Sequence, residues 1–219
     1  MSKKQATEKQ KKMLKALEKA YPDARPALHF QSPFQLLVAV LLSAQCTDER
    51  VNIVTKELFS LAPDAFAMDK LGEETIRDII KSCGLYKNKA KNIAGLSHIL
   101  VEQYHGEVPS DRESLESLPG IGRKSANVVM SVAFGIPALA VDTHVFRVSR
   151  RMGFSDGNDV LKVEQDLMDL IPESRWCEAH HWLIFHGRRV CKAQRPLCDQ
   201  CPVEEDCPKL HFNEKKKKK

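Results

Sequence analysis

Four cysteines crowded near the C-terminus constrain this chain more than any other feature of its sequence. The segment CKAQRPLCDQCPVEEDC places Cys191, Cys198, Cys201 and Cys207 at the spacing C-x6-C-x2-C-x5-C. Four thiolates suffice for tetrahedral zinc or for an iron–sulfur cluster. Zinc sites usually pair their cysteines in two short knuckles, whereas this segment has only one C-x2-C, so the residues alone leave both metals open. In either case we expect a structural metal, because so polar a loop cannot form a core of its own.

The rest of the chain has the periodicity of α-helices almost throughout, and no run alternates as a half-buried strand does. Ser32-Pro33 is typical of an N-cap followed by proline, and Asp48 is the expected N-cap of the next helix. A further helix is predicted after Gly72 and up to Gly84. Others are predicted near 5–20, 87–104, 111–117, 123–134, 143–152, 158–171 and 175–188. This pattern predicts a compact all-α fold.

Composition narrows the class of protein. Apolar residues make up 42% of the 219 and charged residues 29%, which is typical of a globular chain. The longest apolar run, Leu36–Leu42, falls far short of the roughly 20 residues that a membrane span needs. The N-terminal MSKKQATEKQKK lacks the apolar segment of a secretory signal, so we expect a soluble cytoplasmic protein that contacts no membrane.

The net charge of +5 comes from the two ends of the chain. Residues 1–19 contribute +5 and the run Lys215–Lys219 another +5, which leaves −5 on residues 20–214. We expect the lysine run to be disordered, because like charges repel. A folded body that binds nucleic acid must therefore use local basic patches. The candidates are Lys81, Lys87, Lys89, Lys91, Arg188, Arg189 and Lys192.

The segment LPGIGRKSA joins two predicted helices through a turn with two glycines, Gly120 and Gly122. Glycine permits backbone conformations that side chains forbid, and the helix that starts near Arg123 offers its first amides to an anion. This is the signature of a helix-hairpin-helix, which binds DNA phosphates without reading sequence. The alternative is an ordinary corner between two helices.

Lys124 lies in the first turn of that second helix. The positive end of the helix dipole and the neighbouring Arg123 both favour its neutral amine, which is the form that a Schiff-base nucleophile needs. The alternative is a lysine that contacts phosphate.

Asp142 opens the next helix, in the segment AVDTHVFRVSRR. A carboxylate among basic residues repels phosphate, so it makes sense if it balances positive charge that forms on a sugar or moves a proton. The alternative role is an N-cap. His144, Arg147 and Arg151 follow at helical spacing and are expected to form either a basic face for DNA or a solvated helix face.

These motifs converge on one family. The segment LPGIGRKSANVV, then AVDTHVFRV eighteen residues after the lysine, then the four-cysteine loop, resemble the endonuclease III family of bacterial DNA repair glycosylases. The resemblance covers roughly residues 20–210 and includes SPFQLLVAVLLSAQCTD, GLYKNKAKNI and HHWLIFHGR. It implies a two-lobed all-α helix-hairpin-helix glycosylase fold with a DNA cleft. Its expected parts are an N-terminal helix (1–25), a six-helix barrel (26–136), a C-terminal lobe (137–211) with the cluster loop (191–207), and the tail 212–219.

The resemblance also implies an activity. The family removes oxidised pyrimidines from double-stranded DNA by flipping the base out of the stack, and it cuts abasic sites by β-elimination. By matching positions, Lys124 is the nucleophile and Asp142 assists it. Gln45 fills the gap left by the flipped base, and Leu85 is a wedge in the stack. The implied DNA contacts include Gly120, Gly122, Arg123 and His144, and the implied cofactor is a [4Fe–4S] cluster on Cys191, Cys198, Cys201 and Cys207.

Rival readings differ at identifiable residues. Adenine-mismatch and thymine-mismatch glycosylases lack a lysine at the position of Lys124, and glycosylases for oxidised purines lack the four-cysteine loop. In a non-catalytic DNA-binding protein Lys124 would contact phosphate, Asp142 would cap a helix and the cysteines would hold zinc. The combination of features favours pyrimidine lesions, in a nucleoid-associated enzyme that we expect to be a monomer because no oligomer interface is evident.

Overall fold

The computed structural model describes residues 6–212 of the chain, so the predicted basic tail beyond Phe212 lies outside the described residues. The described residues contain ten α-helices, two short 3-10 turns and no strand, which confirms the all-α prediction. None of these helices combines the length and apolarity that crossing a membrane requires. The helices are α1 Glu8–Ala20, α2 Pro33–Leu42, α3 Asp48–Leu61, α4 Ala65–Ile79, α5 Tyr86–Tyr104, α6 Arg112–Ser117, α7 Arg123–Phe134, α8 Thr143–Arg151, α9 Val160–Leu170 and α10 Trp176–Arg189.

The chain divides into two compact units. The hairpin unit runs from Pro26 to Ile136 and contains α2 to α7. At its centre is α2, whose side chains are buried from Phe34 to Leu42, as expected for a helix that is apolar all round. Ser32 Oγ accepts a hydrogen bond from the amide of Gln35 and Pro33 is the first helical residue, so the predicted N-cap is confirmed.

The cysteine-loop unit joins the residues up to Arg25 with those from Pro137 onward, and holds α1, α8, α9 and α10. One apolar core unites its helices, because each contributes side chains at helical spacing. Its members include Met13, Leu17, Val145, Val148, Val163, Leu167, Ala179 and Leu183. The N-terminal helix therefore packs with C-terminal helices that lie more than a hundred residues away in the chain.

Two predicted helix ends are wrong. Asp48 is the first residue of α3, and the N-cap is Thr47, whose Oγ1 accepts from the amide of Arg50 at 3.2 Å. An acidic residue in the first turn is also favourable, because it faces the positive end of the helix dipole. The helix predicted after Gly72 does begin there, because Gly72, with φ 80° and ψ 160°, has a non-helical backbone that separates two helices within Ala65–Ile79. It ends at Ile79, before the predicted Gly84.

The turn between α6 and α7 has the backbone that the glycines predict. Gly120 adopts φ 78°, in the left-handed region, and a Cβ there would lie 2.6 Å from Nδ2 of Asn92 in α5. Gly122 is the N-cap of α7 with φ −104° and open space around it. Arg112 Nε donates to Oδ1 of the buried Asn127 at 3.0 Å, so α6 and α7 are braced one turn beyond Lys124.

Replacing Gly120 by alanine will destabilise the chain more than the same change at Gly122. Gly120→Ala combines a left-handed backbone with crowding against Asn92, so the free energy of unfolding should fall by about 1–3 kcal/mol. Gly122→Ala meets no atom within 4 Å, and its cost at an N-cap should stay below about 1 kcal/mol. Urea unfolding followed by circular dichroism measures both. Equal losses would show that the glycines are not distinguished by their backbone.

Candidate functional site

Lys124 is the second residue of α7, directly after the two-glycine turn. The N-cap Gly122 provides no side-chain acceptor for the first amides of the helix. A helix end of this kind, next to a glycine backbone that a ligand can approach closely, is suited to a phosphate. Lys124 itself is half-buried.

Asp142 is the N-cap of α8, as its alternative role predicts. Its Oδ1 accepts hydrogen bonds from the amides of His144 and Val145 at 2.8 and 2.7 Å. Both capping bonds end on the same oxygen, so capping and chemistry need not compete for Oδ2. The Nδ1 of the buried His180 lies 2.7 Å from the carbonyl oxygen of Ala140. Because a carbonyl oxygen can only accept, the histidine ring is the donor. This hydrogen bond fixes the segment that leads into Asp142.

Two of the three α8 residues predicted to form a basic or solvated face, Arg147 and Arg151, instead donate to backbone carbonyls, so that prediction is wrong for them. Arg147 donates from Nε and Nη2 to the carbonyl oxygen of Cys191 at 3.2 and 3.1 Å, and from Nη2 to that of Gly187 at 2.9 Å. The buried Arg151 donates to the carbonyl oxygens of Lys192 and Ala193 at 2.7 and 3.1 Å. The two guanidinium groups therefore hold the start of the cysteine loop (residues 191–207) against α8.

The four cysteines of this loop line one pocket. Burial, with smaller contributions from the neighbouring cysteines, raises the pKa of Cys201 to about 11. Burial also raises the pKa of Cys207. Such thiols ionise beside positive charge, which a metal centre supplies. Among residues 6–212, no three His, Cys, Asp or Glu side chains are grouped for a single metal ion. The donor set of four thiols in one pocket fits an iron–sulfur cluster.

Basic and neutral groups surround these sulfurs. Arg151 Nη1 lies 3.6 Å from Sγ of Cys191, so a buried cation faces one of the thiols. His186 Nε2 lies 3.7 Å from Sγ of Cys201, and its Nδ1 lies 3.0 Å from the hydroxyl of Tyr21. Burial lowers the pKa of His186 to about 4, so the ring is neutral at pH 7. Arg151 fits an anionic centre, because a thiolate-ligated cluster carries net negative charge.

Gln45 and Leu85 lie on two adjacent loops of the hairpin unit. Both have left-handed backbones, with φ 54° and 59°, which is strained for residues other than glycine. The loops touch, since a Cβ on Gly84 would lie 3.1 Å from the carbonyl oxygen of Gln45. Leu85 is 57% exposed, so its side chain is accessible at the surface. Cys83, two residues before Leu85, is buried. Its pKa is raised to about 11, mainly by burial and to a smaller extent by a hydrogen bond with Cys46.

Lys89 is not part of a basic surface, contrary to the prediction. Its side chain is 4% exposed, and Nζ donates to the carbonyl oxygen of Leu42 at 2.9 Å, at the end of α2. Burial lowers the pKa of this amine, although a cation at the C-terminus of a helix is favourable. Lys81, Lys87 and Lys91 are exposed, as are Arg188, Arg189 and Lys192.

Sequence reasoning missed three residues around the site: His180, His186 and Tyr21. The two histidines lie in the segment HHWLIFHGR on α10, six residues apart and both buried. A polar residue at an apolar position of a helix is a signal that the sequence contains. No signal marks Tyr21, because its partner His186 lies 165 residues away.

The chain matches two protein families along its length. It matches the HhH-GPD superfamily of base excision DNA repair proteins over residues 38–173. Residues 191–207 match the iron–sulfur binding domain of endonuclease III.

Its similarity to individual proteins extends over most of the chain. It is 48% identical to endonuclease III of Escherichia coli strain K12 over 199 residues, covering 91% of this chain and 94% of that protein. It is 52% identical to endonuclease III of Bacillus subtilis strain 168, covering 90% of each. A solved structure of a trapped endonuclease III–DNA covalent intermediate matches with TM-score 0.88 and 50% identity, covering 93% of this chain and 97% of the other. A thermostable thymine-DNA glycosylase, 23% identical with TM-score 0.79, shares the fold.

Because Lys89 is buried and Lys87 is exposed, we expect the two lysines to differ in their contribution to DNA binding. The slope of log affinity for duplex DNA against log salt should fall in size by about 0.9 in Lys87→Met if this exposed lysine contacts one phosphate. Lys89→Met should leave the slope unchanged, because its amine already donates to Leu42. Fluorescence anisotropy across a salt series measures both slopes. An equal change in the two variants would place Lys89 at the DNA surface.

Proposed function

The chain belongs to the endonuclease III family of base excision DNA repair proteins, and from this we propose that Lys124 and Asp142 carry out its reaction. It binds DNA and is a bifunctional DNA glycosylase and AP lyase that acts on oxidised pyrimidines. Its cofactor is a [4Fe–4S] cluster. The observation that carries the residue assignment is the place of Lys124, in the first turn of α7 immediately after the glycine turn.

Lys124 is the proposed nucleophile. Its neutral amine attacks C1′ of the flipped nucleotide, the C1′–N bond breaks, and the base leaves with a proton. The positive end of the α7 dipole and Arg123 disfavour the ammonium form, so they support the amine. The C1′–O4′ bond then breaks and the sugar ring opens, O4′ takes a proton as the 4′-hydroxyl, and a protonated imine joins Lys124 to C1′. The imine makes the C2′ proton acidic, and its removal expels the phosphate on the 3′ side.

Asp142 is the proposed partner of that amine. Its carboxylate stabilises the positive charge that develops on the sugar and accepts or returns a proton as the imine forms. The capping bonds from His144 and Val145 hold Oδ1 in place, so the group is oriented before substrate arrives. The His180 contact with Ala140 supports the same orientation.

The hairpin is the proposed phosphate clamp. The backbone around Gly120 and Gly122 and the first amides of α7 bind phosphate oxygens, with Arg123 beside them and His144 as a further DNA contact. Such contacts position the duplex without reading its sequence, which suits an enzyme that tests many base pairs. The exposed Lys81, Lys87 and Lys91 extend this surface on the hairpin unit.

Gln45 and Leu85 are the proposed inserting residues. Base flipping costs a few kcal/mol of lost stacking and pairing, which inserted side chains partly replace. Leu85 supplies an apolar wedge and Gln45 a polar group for the gap. Their adjacent, strained loops support this role, because strain in exposed loops is usually kept for function.

Cys191, Cys198, Cys201 and Cys207 are the proposed ligands of the cluster. When bound, the cluster supplies the cross-link that gathers a polar loop without a core. The loop would then present its lysine and arginine side chains to DNA in a fixed arrangement. We expect the enzyme to act as a monomer on double-stranded DNA that contains an oxidised pyrimidine or an abasic site, and to be associated with the nucleoid.

Borohydride trapping tests the role of Lys124. Incubation of the protein with duplex DNA containing an abasic site or thymine glycol, followed by borohydride, should give a covalent protein–DNA adduct, because borohydride reduces the imine. Lys124→Ala should lose the adduct completely and keep its affinity for DNA. Denaturing gel electrophoresis measures the adduct. Absence of an adduct with the unaltered chain, at concentrations where it binds the DNA, would overturn the lyase assignment.

Asp142→Asn is the companion variant, because asparagine caps a helix as well as aspartate and so preserves α8. Turnover should fall by at least about 100-fold while affinity for abasic DNA changes little, as expected for lost acid–base and charge stabilisation. Asp159→Asn is the matched control, since Asp159 caps α9 by the same type of bond to Lys162. A parallel loss of turnover and affinity in Asp142→Asn would reduce Asp142 to its capping role.

Leu85→Gly tests whether strain is retained for DNA insertion. Relief of the left-handed backbone should raise the free energy of unfolding by about 1 kcal/mol, while glycosylase activity falls because the wedge is lost. His105→Gly is the control: this exposed residue has φ 53° at the end of α5. It should gain similar stability and keep full activity. Unimpaired activity in Leu85→Gly would remove Leu85 from the mechanism.

A further inference from the structure

A tyrosine and a histidine lie in line behind one proposed cluster ligand. The hydroxyl of Tyr21, just after α1, lies 3.0 Å from Nδ1 of His186 in α10. Nε2 of the same ring lies 3.7 Å from Sγ of Cys201. Both rings are almost completely buried, with 6% of Tyr21 and 1% of His186 exposed, and they meet edge to face at 5.9 Å. Three parts of the chain thus form one continuous path that ends on sulfur.

The hydrogen positions along this path follow from the chemistry of each group. A thiolate bound to iron carries no proton and can only accept a hydrogen bond. A hydrogen bond between His186 and Cys201 therefore requires the hydrogen on Nε2. A neutral imidazole has one N–H, so Nδ1 must then accept. The hydroxyl of Tyr21 is the donor placed to satisfy it.

We propose that Tyr21 fixes the tautomer of His186 so that its ring donates an N–H···S hydrogen bond to Cys201, and that this bond raises the reduction potential of the [4Fe–4S] cluster. Reduction adds negative charge that spreads onto the ligand sulfurs, and a hydrogen-bond donor stabilises that charge. The inference rests on the proposed ligation by Cys201.

His186 differs from the other groups near the sulfurs. Arg151 also donates to a sulfur, that of Cys191 at 3.6 Å, but its guanidinium is a permanent donor that needs no second residue to orient its hydrogens. The sulfur of Cys207 lies 3.8 Å from the carbonyl oxygen of Arg151. A hydrogen bond between these two atoms requires a protonated thiol, because the carbonyl oxygen can only accept. Within the described residues, His186 is thus the neutral donor whose hydrogen depends on a partner.

Voltammetry of the full-length holoenzyme tests the proposal, with iron and sulfide content measured in each preparation. His186→Leu removes the donor and should shift the potential to more negative values. Tyr21→Phe removes only the hydroxyl and should shift it in the same direction by a smaller amount. His186→Gln should restore most of the potential, because the glutamine amide nitrogen reaches the place of Nε2. In resonance Raman spectra the Fe–Sγ stretching bands should move to higher frequency in the leucine variant and return in the glutamine variant.

Three outcomes overturn the proposal. A fully loaded His186→Leu enzyme with unchanged potential would show that no such bond is made. Equal shifts in His186→Leu and His186→Gln would assign the effect to packing. If His186→Leu cannot be loaded, an unchanged potential in Tyr21→Phe decides against it. The proposed ligation fails separately: Cys201→Ala protein with normal iron content would remove Cys201 from the ligands whatever the histidine variants do.

Discussion

The hydrogen bonds from two arginines to the start of the cysteine loop are the interaction on which the rest of the cysteine-loop unit depends. Arg147 and Arg151 project from α8 and donate to carbonyl oxygens of residues 187 to 193, so the start of the loop is fixed to α8. Bonds from a buried cation to a carbonyl are worth more than ordinary hydrogen bonds, and an unpaired buried guanidinium would be costly. We therefore expect that a change which disrupts either the loop or α8 also destabilises the other.

This linkage joins the proposed cluster ligands to the proposed catalytic Asp142 through one short helix. Asp142 caps the start of α8, and Arg151 ends it. A helix of nine residues is about 13 Å long, so a displaced loop would move the capping carboxylate with it. With the proposed ligands and the proposed role of Asp142, a structural cluster would influence catalysis without taking part in any bond-making step.

Local chemistry made much of the fold predictable. Ser32 with Pro33, the two-glycine turn and the Asp142 cap are features whose partners lie within a few residues, and the structure confirms each of them. The errors about the surface role of charged side chains involve distant partners. In the sequence Lys89 resembles a surface lysine, but its amine is buried and donates to the carbonyl oxygen of Leu42, 47 residues away. Arg151 likewise depends on a loop 41 residues further along the chain, which periodicity cannot reveal.

The same distinction applies to the site. The turn that carries Lys124 and the spacing of the cysteines are local patterns, whereas the pairing of Tyr21 with His186 exists only because α1 packs with α10. The proposed roles of Lys124 and Asp142 rest on both kinds of observation.

The left-handed loops that carry Gln45 and Leu85 have a kinetic consequence. Their backbone order is established when the protein folds, so no segment has to become ordered at each encounter with a duplex. In the inserting role proposed for Gln45 and Leu85, an unmodified base pair would need to be probed only briefly, and the protein could diffuse onward without refolding its own surface. A preformed backbone of this kind would favour rapid search over tight residence on undamaged DNA.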